Sequence, residues 1–176
     1  MGKTAEYDAS MKTSMTDKDS NKILVGAAGE HLVLSRLFSH RILASLAPPK
    51  FPDVDILVNP IGGGSAKWIQ VKSTETKGKD RGWHMKDEHL SLVSPQLFYC
   101  FVELSSETQN VFVIPSRIVA KVLTETDKAY MKKPKKDGSK RTSHSHRMLK
   151  PNFLIQVPSA PEGWMDKYLE KWELLK

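Results

Sequence analysis

The order of local patterns along the chain predicts a single domain of the α/β or α+β class, with helices packed on a sheet. A long stretch with helical periodicity comes first, several short β-branched or aromatic runs follow, and helical patterns return near the end. The 176 residues suffice for one domain with a sizeable core. Apolar residues make up 39% and charged residues 27%, which is typical of a soluble globular protein.

The chain begins with a polar stretch that lacks periodicity, so we expect a flexible segment over 1–20 and the folded domain over 21–176. Thr16 to Asp19 has the pattern of a capping box before the first helix. We predict that helix from about Asn21 to Leu46, ended by Pro48-Pro49. Its buried stripe is predicted to contain Ile23, Ala27, Val33, Leu34, Leu37, Phe38 and Arg41.

Concentrations of β-branched and aromatic residues predict the sheet. The main predicted strands are 54–58, 67–72, 97–104 and 111–114. Leu90–Val93 is predicted to be a short strand or an edge, and Phe153–Val157 a last short strand or extended piece. The glycine-rich residues 59–65 predict a turn between the first two strands, and 73–90 a polar loop.

Two helices are predicted in the second half of the chain. Ser116–Leu123 follows the last main strand, and Ser116 is expected to cap it. Trp164–Leu175 carries aromatic and apolar residues at helical spacing and is expected to pack on the core.

The net charge of +7 is concentrated in one segment. Residues 131–150 contain the whole of the basic excess, and the remainder of the chain has equal numbers of acidic and basic residues. Such a basic loop is expected either to contact a polyanion or to be simply solvated. The candidate nucleic-acid contacts are Lys132, Lys133, Lys135, Lys136, Lys140, Arg141 and Arg147.

Targeting signals are absent from the pattern of the sequence. No apolar run reaches the length of about 18 residues that spans a membrane, and the N-terminus lacks the apolar region of a secretory signal. Cys100 is the lone cysteine and lies in an apolar run, which predicts a buried, inert thiol. We therefore expect a cytoplasmic protein without a membrane partner.

The polar residues of the first two strands are expected to share one face. If Val58 faces Lys67 in an antiparallel hairpin, then Asp55 lies opposite Gln70 and Asp53 opposite Lys72. Alternation then places a second set on the opposite, apolar face, namely Val54, Ile56, Val58, Ile69 and Val71. A slip by one residue would undo this arrangement.

Such a polar face suits metal-assisted phosphodiester hydrolysis. Asp55 offers a carboxylate oxygen, while the Gln70 side-chain carbonyl and the Val71 backbone carbonyl offer neutral oxygens, all of them ligands that Mg²⁺ accepts. Lys72 can position or deprotonate the attacking water and stabilise the developing charge.

These residues resemble the PD-(D/E)XK nuclease superfamily. The resemblance rests on Gly29-Glu30, Phe51 to Val58, and Ile69-Gln70-Val71-Lys72-Ser73, and it covers roughly residues 22–74. It implies a restriction-endonuclease-like domain, in which a central mixed sheet is flanked by helices. The resemblance is to the variant of the superfamily in which Gln replaces the second acidic residue. By this resemblance Asp55 is the metal-binding aspartate, Gln70 and Lys72 are the Q-x-K pair, and Glu30 is the helix carboxylate.

Two assignments within this site stay open. Asp53 follows Pro52 and matches the family name literally, but Asp55 leads directly into the strand and is favoured. Glu30 lies on the predicted buried stripe and needs a partner there. That partner is either a bound metal or a basic residue such as Lys72.

The sequence therefore predicts an Mg²⁺- or Mn²⁺-dependent endonuclease acting on DNA, in restriction, repair or a mobile element. Cleavage of both strands usually needs two sites, so a homodimer, or another chain that supplies specificity, is an expected partner. The alternatives are an inactive nucleic-acid-binding or interaction module of the same fold, and an RNA-acting nuclease of the same fold.

Overall fold

The computed structural model describes residues 17–49, 51–75, 81–105, 107–142 and 147–176, with the side chains described from residue 21 onwards. Two helices are present in these ranges, α1 (Asp17–Ser39) and α2 (Ser116–Lys132). The strands are β1 (Leu43–Leu46), β2 (Ile56–Asn59), β3 (Lys67–Thr74), β4 (Trp83–Met85), β5 (Leu97–Glu103), β6 (Val111–Pro115) and β7 (Arg147–Leu149). Short 3-10 turns occupy Asp87–Leu90, Asp166–Tyr168 and Trp172–Leu175.

A mixed five-stranded sheet forms the centre of the domain. Its strand order is β1-β2-β3-β5-β6, and β4 pairs with β7 in a separate two-stranded sheet. In the main sheet β3 and β5 pair in parallel, and the pairs β1–β2, β2–β3 and β5–β6 are antiparallel. The crossover between β3 and β5 contains β4 and the 3-10 turn Asp87–Leu90.

The predicted hairpin register is confirmed over the paired strands. Ile56 lies opposite Ile69, Leu57 opposite Trp68, and Val58 opposite Lys67. Alternation buries Ile56 and Val58 together with Ile69 and Val71, as the apolar pattern predicts.

Helices cover both faces of the sheet, so the predicted α/β class is correct. Val33 and Leu37 of α1 pack against the β2 and β3 side chains on one face. Helix α2 packs against the opposite face, where Tyr99 and Phe101 of β5 meet Val119, Val122 and Leu123. Each face buries its own apolar cluster, which is the main driving force for this layered arrangement.

The first predicted helix has different ends in the structure. Helix α1 begins at Asp17, so Asp17–Ser20 are helical although we expected them in the flexible segment, whereas residues 1–16, with Thr16 of the predicted capping box, lie outside the described ranges. It ends at Ser39, and residues Leu43–Leu46 form β1 instead of a final helical turn. The predicted stripe is correct at Val33 and Leu37, but Ile23 and Phe38 are exposed and Arg41 follows the helix.

The segment predicted as a polar loop, 73–90, contains regular structure. Ser73 and Thr74 extend β3, and Trp83–Met85 form β4. Leu90–Val93 is not a strand, because Leu90 ends a 3-10 turn and irregular backbone follows it. Cys100 is buried as expected, and burial raises the pKa of its thiol well above the usual range.

Two further predictions near the end of the chain are wrong. Phe153–Val157 is not a strand, because only Val157 forms an isolated bridge, with Ala160. The predicted Trp164–Leu175 helix is instead two 3-10 turns separated at Glu170, whose φ of 51° lies in the left-handed region. Trp164, Trp172 and Leu175 are nevertheless buried, as core packing requires.

Helix α2 is longer than predicted and is not capped by Ser116. The helix starts at Ser116 and continues to Lys132, and Pro115 before it makes no side-chain cap bond. The Ser116 hydroxyl instead donates to the Ser94 carbonyl and accepts from the Ser94 amide, at 2.9 and 3.0 Å. This serine therefore ties the helix to the loop before β5. Over the described ranges, no helix is long and apolar enough to cross a membrane.

Candidate active site

The β2–β3 ladder changes at Asp55, directly before β2. The Asp55 amide donates to the Ile69 carbonyl at 2.8 Å, although the register partner of Ile69 is Ile56. Two consecutive residues thus face Ile69, as in a β-bulge, which commonly redirects a side chain beside a functional site. The predicted ladder pairing of Asp55 with Gln70 is consequently displaced by the bulge.

The redirected Asp55 carboxylate contacts the backbone of β3. Its Oδ2 accepts a hydrogen bond from the Val71 amide at 2.6 Å. Burial raises the pKa of Asp55 and outweighs the opposing effects of the Val71 amide and of Lys72. The side chain is thus fixed by a backbone donor, while its ionised form is poorly compensated.

Gln70 and Lys72 project from β3 on the face away from α1. Gln70 is buried, and its Oε1 atom has no hydrogen-bond partner among the residues that the structure describes. An orphaned buried carbonyl oxygen is rare and favours an unseen ligand or water. Lys72 is half-buried, and burial lowers the pKa of its ammonium group despite the favourable charge of Asp55.

Glu30 of α1 lies close enough to Asp55 for the two charges to interact. A side chain added at Gly29 would place its Cβ 1.7 Å from the Ser73 hydroxyl, so the absence of a side chain there allows α1 to approach β3 closely. Burial, followed by the negative charge of Asp55, raises the pKa of Glu30. The two carboxylates therefore repel each other across the helix–sheet contact, an arrangement that a cation would relieve.

Asp53 has a different environment from Asp55. It lies in the turn before β2 with a φ of 56°, so it does not continue the ladder and is not paired there with Lys72 as predicted. Its charge raises the pKa of Asp55 and opposes the lowering of the Lys72 pKa. Asp55 is the aspartate that contacts the β3 backbone, which favours it over Asp53 for the metal.

Sequence reasoning missed two residues of this cluster, His89 and Tyr99. His89 is buried on the 3-10 turn Asp87–Leu90, and its Nδ1 lies 3.2 Å from the Tyr99 hydroxyl oxygen. Tyr99 is the register partner of Gln70 across β3 and β5. Only the parallel pairing of these strands, which has no local sequence signal, would have indicated them.

Two tryptophans near the cluster, Trp68 of β3 and Trp83 of β4, differ in exposure. Trp68 is 40% exposed on the face that carries Gln70 and Lys72. Trp83 is buried against Phe101 and Phe112, and its indole N–H donates to the Val102 carbonyl at 3.0 Å. Trp83 is therefore a core residue, not the wall of a groove.

The basic segment divides into exposed and buried parts. Lys132, Lys133, Lys135, Lys136 and Lys140 are exposed, and residues 143–146 lie outside the described ranges. The Arg141 guanidinium stacks over the Tyr130 ring at 4.2 Å and donates to the Lys133 carbonyl.

Arg147 does not belong to the exposed surface. It is 9% exposed, lies 3.1 Å from Asp127, and also forms an ion pair with Asp87. Our prediction that it contacts nucleic acid is therefore not supported, since its charge is used inside the protein.

The side chains near Asp55 that could bind a metal include few carboxylates. In the part of the chain that the structure describes, no three His, Cys, Asp or Glu side chains form a group that could hold a metal by themselves. A metal at this site would accordingly need the neutral oxygen of Gln70, backbone oxygens, water or substrate in addition to Asp55 and Glu30. Two surface cavities, of about 450 and 260 Å³, share no residue with the cluster.

Comparison with known proteins gives a structural relative. No family model and no curated protein matches the chain. The solved structure of a bacterial homing endonuclease, I-Ssp6803I, matches with a TM-score of 0.51 and 14% sequence identity, over 86% of this chain and 88% of that chain. This likeness shows that the two proteins share a fold, which agrees with the predicted mixed sheet flanked by helices.

Proposed function

We propose that this protein is a metal-dependent endonuclease that hydrolyses DNA phosphodiester bonds, with a PD-(D/E)XK site in which Gln70 replaces the second acidic residue. The observation that carries the proposal is the hydrogen bond from the Val71 amide to the Asp55 carboxylate, because Val71 lies between Gln70 and Lys72 on β3. The shared fold with a protein described as a homing endonuclease supports it.

The residues present fit an Mg²⁺ or Mn²⁺ ion. Glu30 and Asp55 are two like charges whose repulsion a divalent cation would remove, and Gln70 Oε1 is a buried oxygen without a partner. We assign these side chains as ligands, together with the Val71 backbone carbonyl. When bound, the ion would polarise the phosphate and lower the pKa of a coordinated water.

The protein groups around that position have separate tasks. The Val71 amide orients the Asp55 carboxylate, so that its second oxygen stays available. The pKa of Lys72 is lowered by burial, so a larger fraction of its amine than of an exposed lysine is unprotonated and able to accept a proton at a given pH. Lys72 would hold the attacking water and stabilise the charge that develops on the phosphate.

The exposed lysines of the basic segment would bind the substrate through its backbone. Lys132, Lys133, Lys135, Lys136 and Lys140 can neutralise phosphates without reading the sequence. Target choice would then depend on a second copy of the chain or on another protein, because phosphate contacts alone specify no site.

The decisive experiment is incubation of supercoiled plasmid with Mg²⁺ or Mn²⁺, in parallel with the variant Lys72→Ala. We expect metal-dependent cleavage by the wild type, at least ~100-fold slower cleavage by the variant, and similar DNA affinity for both. Equal cleavage rates would refute the role of Lys72. Nicking alone would indicate one site acting per event, whereas direct linearisation would indicate a dimer.

A second candidate is a nuclease-fold module that binds nucleic acid without cleaving it. It is favoured by the neutral Gln70 and by the need for ligands beyond carboxylates in the described cluster. Titration with Mn²⁺ separates the two functions, since an inactive module should not bind the ion through Asp55. Parallel assays on duplex DNA, single-stranded DNA and RNA would identify an RNA-acting nuclease of the same fold.

A further inference from the structure

The His89 imidazole lies in an unusual environment for a buried side chain. It is 1% exposed, its Nδ1 lies 3.2 Å from the Tyr99 hydroxyl oxygen, and its ring meets the Tyr99 ring edge-on at 5.7 Å. Its other nitrogen, Nε2, is buried and has no hydrogen-bond partner among the described residues. A buried unsatisfied nitrogen is costly, so an explanation for its retention is needed.

The sheet places the His89 ring on the same face as the proposed catalytic lysine, and the Lys72 charge acts on the imidazole. Tyr99 is the neighbour of Gln70 across the parallel β3–β5 pair, and adjacent strands are about 4.8 Å apart. Lys72 follows Gln70 by two residues and therefore lies on the same face. The His89 ring, which meets the Tyr99 ring and hydroxyl, is thus held over the strand face that presents Lys72.

We propose, on the basis of the nuclease function above, that His89 is a positioning residue for Lys72. Its Nε2 would accept a hydrogen bond from the lysine Nζ and hold that nitrogen towards the scissile phosphate. Tyr99 would complete the arrangement: if its hydroxyl oxygen accepts from His89 Nδ1–H across the 3.2 Å contact, Nε2 is left as the free acceptor.

Charges around the imidazole agree with a neutral acceptor. Burial, followed by the Lys72 ammonium, lowers the pKa of His89 to about 4, and Lys86 acts in the same direction. Glu88 and Asp53 oppose them. The ring is therefore uncharged at neutral pH, which is the state in which one nitrogen can accept a hydrogen bond.

Two substitutions at His89 separate positioning from a merely structural role. Asparagine can retain a polar atom near the Nδ1 position, whereas glutamine can reach the Nε2 position. If Nε2 holds Lys72, His89→Gln should cleave DNA faster than His89→Asn in single-turnover assays. We expect His89→Asn to lose about 100-fold in rate, because a displacement of about 1 Å at a reacting group can have that effect. DNA affinity should remain at the wild-type level in both variants.

The reverse order, with His89→Asn more active, would overturn the proposal, because only the bond to Tyr99 would then matter. Thermal unfolding of both variants shows whether each one folds, and His84→Asn on the exposed side of β4 is the matched control. A rate loss accompanied by weaker DNA binding would also contradict positioning.

A measurement that does not need cleavage distinguishes this proposal from the nuclease function itself. Nitrogen-15 NMR of the histidine side chains should show that His89 carries its proton on Nδ1, and that the Nε2 resonance shifts in Lys72→Met. A proton on Nε2, or a resonance unaffected by Lys72→Met, would refute the positioning role even in an active enzyme. If the wild type does not cleave DNA, the nuclease proposal fails, while these spectra still decide the His89–Lys72 contact.

Discussion

At the scale of single residues, Glu30 combines a structural penalty with the metal-binding role that we propose for it. Its carboxylate is half-buried, and both this burial and the negative charge of Asp55 raise the pKa of Glu30. A carboxyl group whose pKa is higher in the folded than in the unfolded state favours folding only while it is protonated. Its contribution is present below the ordinary value of 4.5 and is lost as the pH rises through the folded pKa. At neutral pH the ionised Glu30 therefore destabilises the metal-free fold.

We accordingly predict that Glu30→Gln raises the urea midpoint of the metal-free protein at pH 7 and that the gain disappears near pH 4. Mg²⁺ should stabilise the wild type by mass action and stabilise the variant much less. Urea unfolding with and without Mg²⁺ at both pH values provides the test, with exposed Glu162→Gln as the control. A lower midpoint for Glu30→Gln at pH 7 would mean that Glu30 has a protein partner that it needs.

The site residues differ in how far the sequence could reveal them. The shared face of Gln70 and Lys72 was predictable because a spacing of two on a strand fixes it. The position of Asp55 was predictable only in part, since the register of the paired strands is correct but Asp55 is displaced from Gln70. The bulge at Asp55 was not predictable from the sequence, since it depends on the hydrogen bonds that Asp55 makes with Ile69 and Val71. His89 meets Tyr99 only through tertiary contacts of its 3-10 turn, which no local pattern encodes.

At the scale of elements, two wrong boundaries have the same physical cause. Helix α1 ends in a Schellman motif, in which the Arg41 amide donates to the Phe38 carbonyl and the Ile42 amide to the Leu37 carbonyl. Arg41 takes the left-handed conformation there, with a φ of 58°. Glu170 has a similar φ where the predicted C-terminal helix breaks. Glycine usually occupies such positions, so neither break has the expected sequence signal. Because the end of α1 was not predicted, the strand β1 that follows it was assigned to the helix.

The contact between α1 and β3 yields a prediction with a built-in control. Gly26 and Gly29 lie one turn apart in α1, but a Cβ at Gly26 would meet nothing within 4 Å, whereas one at Gly29 would overlap Ser73. Gly26→Ala should therefore stabilise the protein by ~0.5–1 kcal/mol through the unfolded chain and helix propensity.

Gly29→Ala should instead destabilise the fold by ~1–3 kcal/mol, because the helix must move away from β3. The same displacement would carry Glu30 away from Asp55 and slow cleavage. Denaturant unfolding of both variants, followed by plasmid cleavage at equal folded concentration, tests this. Equal effects of the two alanines would show that α1 is not closely packed at Gly29.

At the scale of the whole molecule, the helix that leads into the basic segment packs on the face of the sheet that carries Gln70 and Lys72. Helix α2 packs on the face that carries Gln70 and Lys72, contacts the Asp87–Leu90 turn, and leads at Lys132 into the basic segment. Arg147 ties this layer together, since it joins α2 through Asp127 to that turn through Asp87. One basic residue of the segment therefore holds the layer together, while the exposed lysines remain available for a polyanion.

The difference between buried Arg147 and the exposed lysines predicts how removal of the lysine charges should affect DNA binding and stability. Replacing Lys132, Lys133, Lys135 and Lys136 by glutamine should weaken DNA binding and flatten the plot of log affinity against log salt. Each lost phosphate contact should reduce the slope by about 0.9, because fewer counterions are released on binding. Stability should change little, since these side chains are exposed.

The same four positions changed to arginine form the matched control and should keep the wild-type slope. Binding titrations between low and moderate salt provide the measurement. An unchanged slope in the glutamine variant would show that these lysines are only solvated, and that substrate phosphates are held elsewhere on the site face.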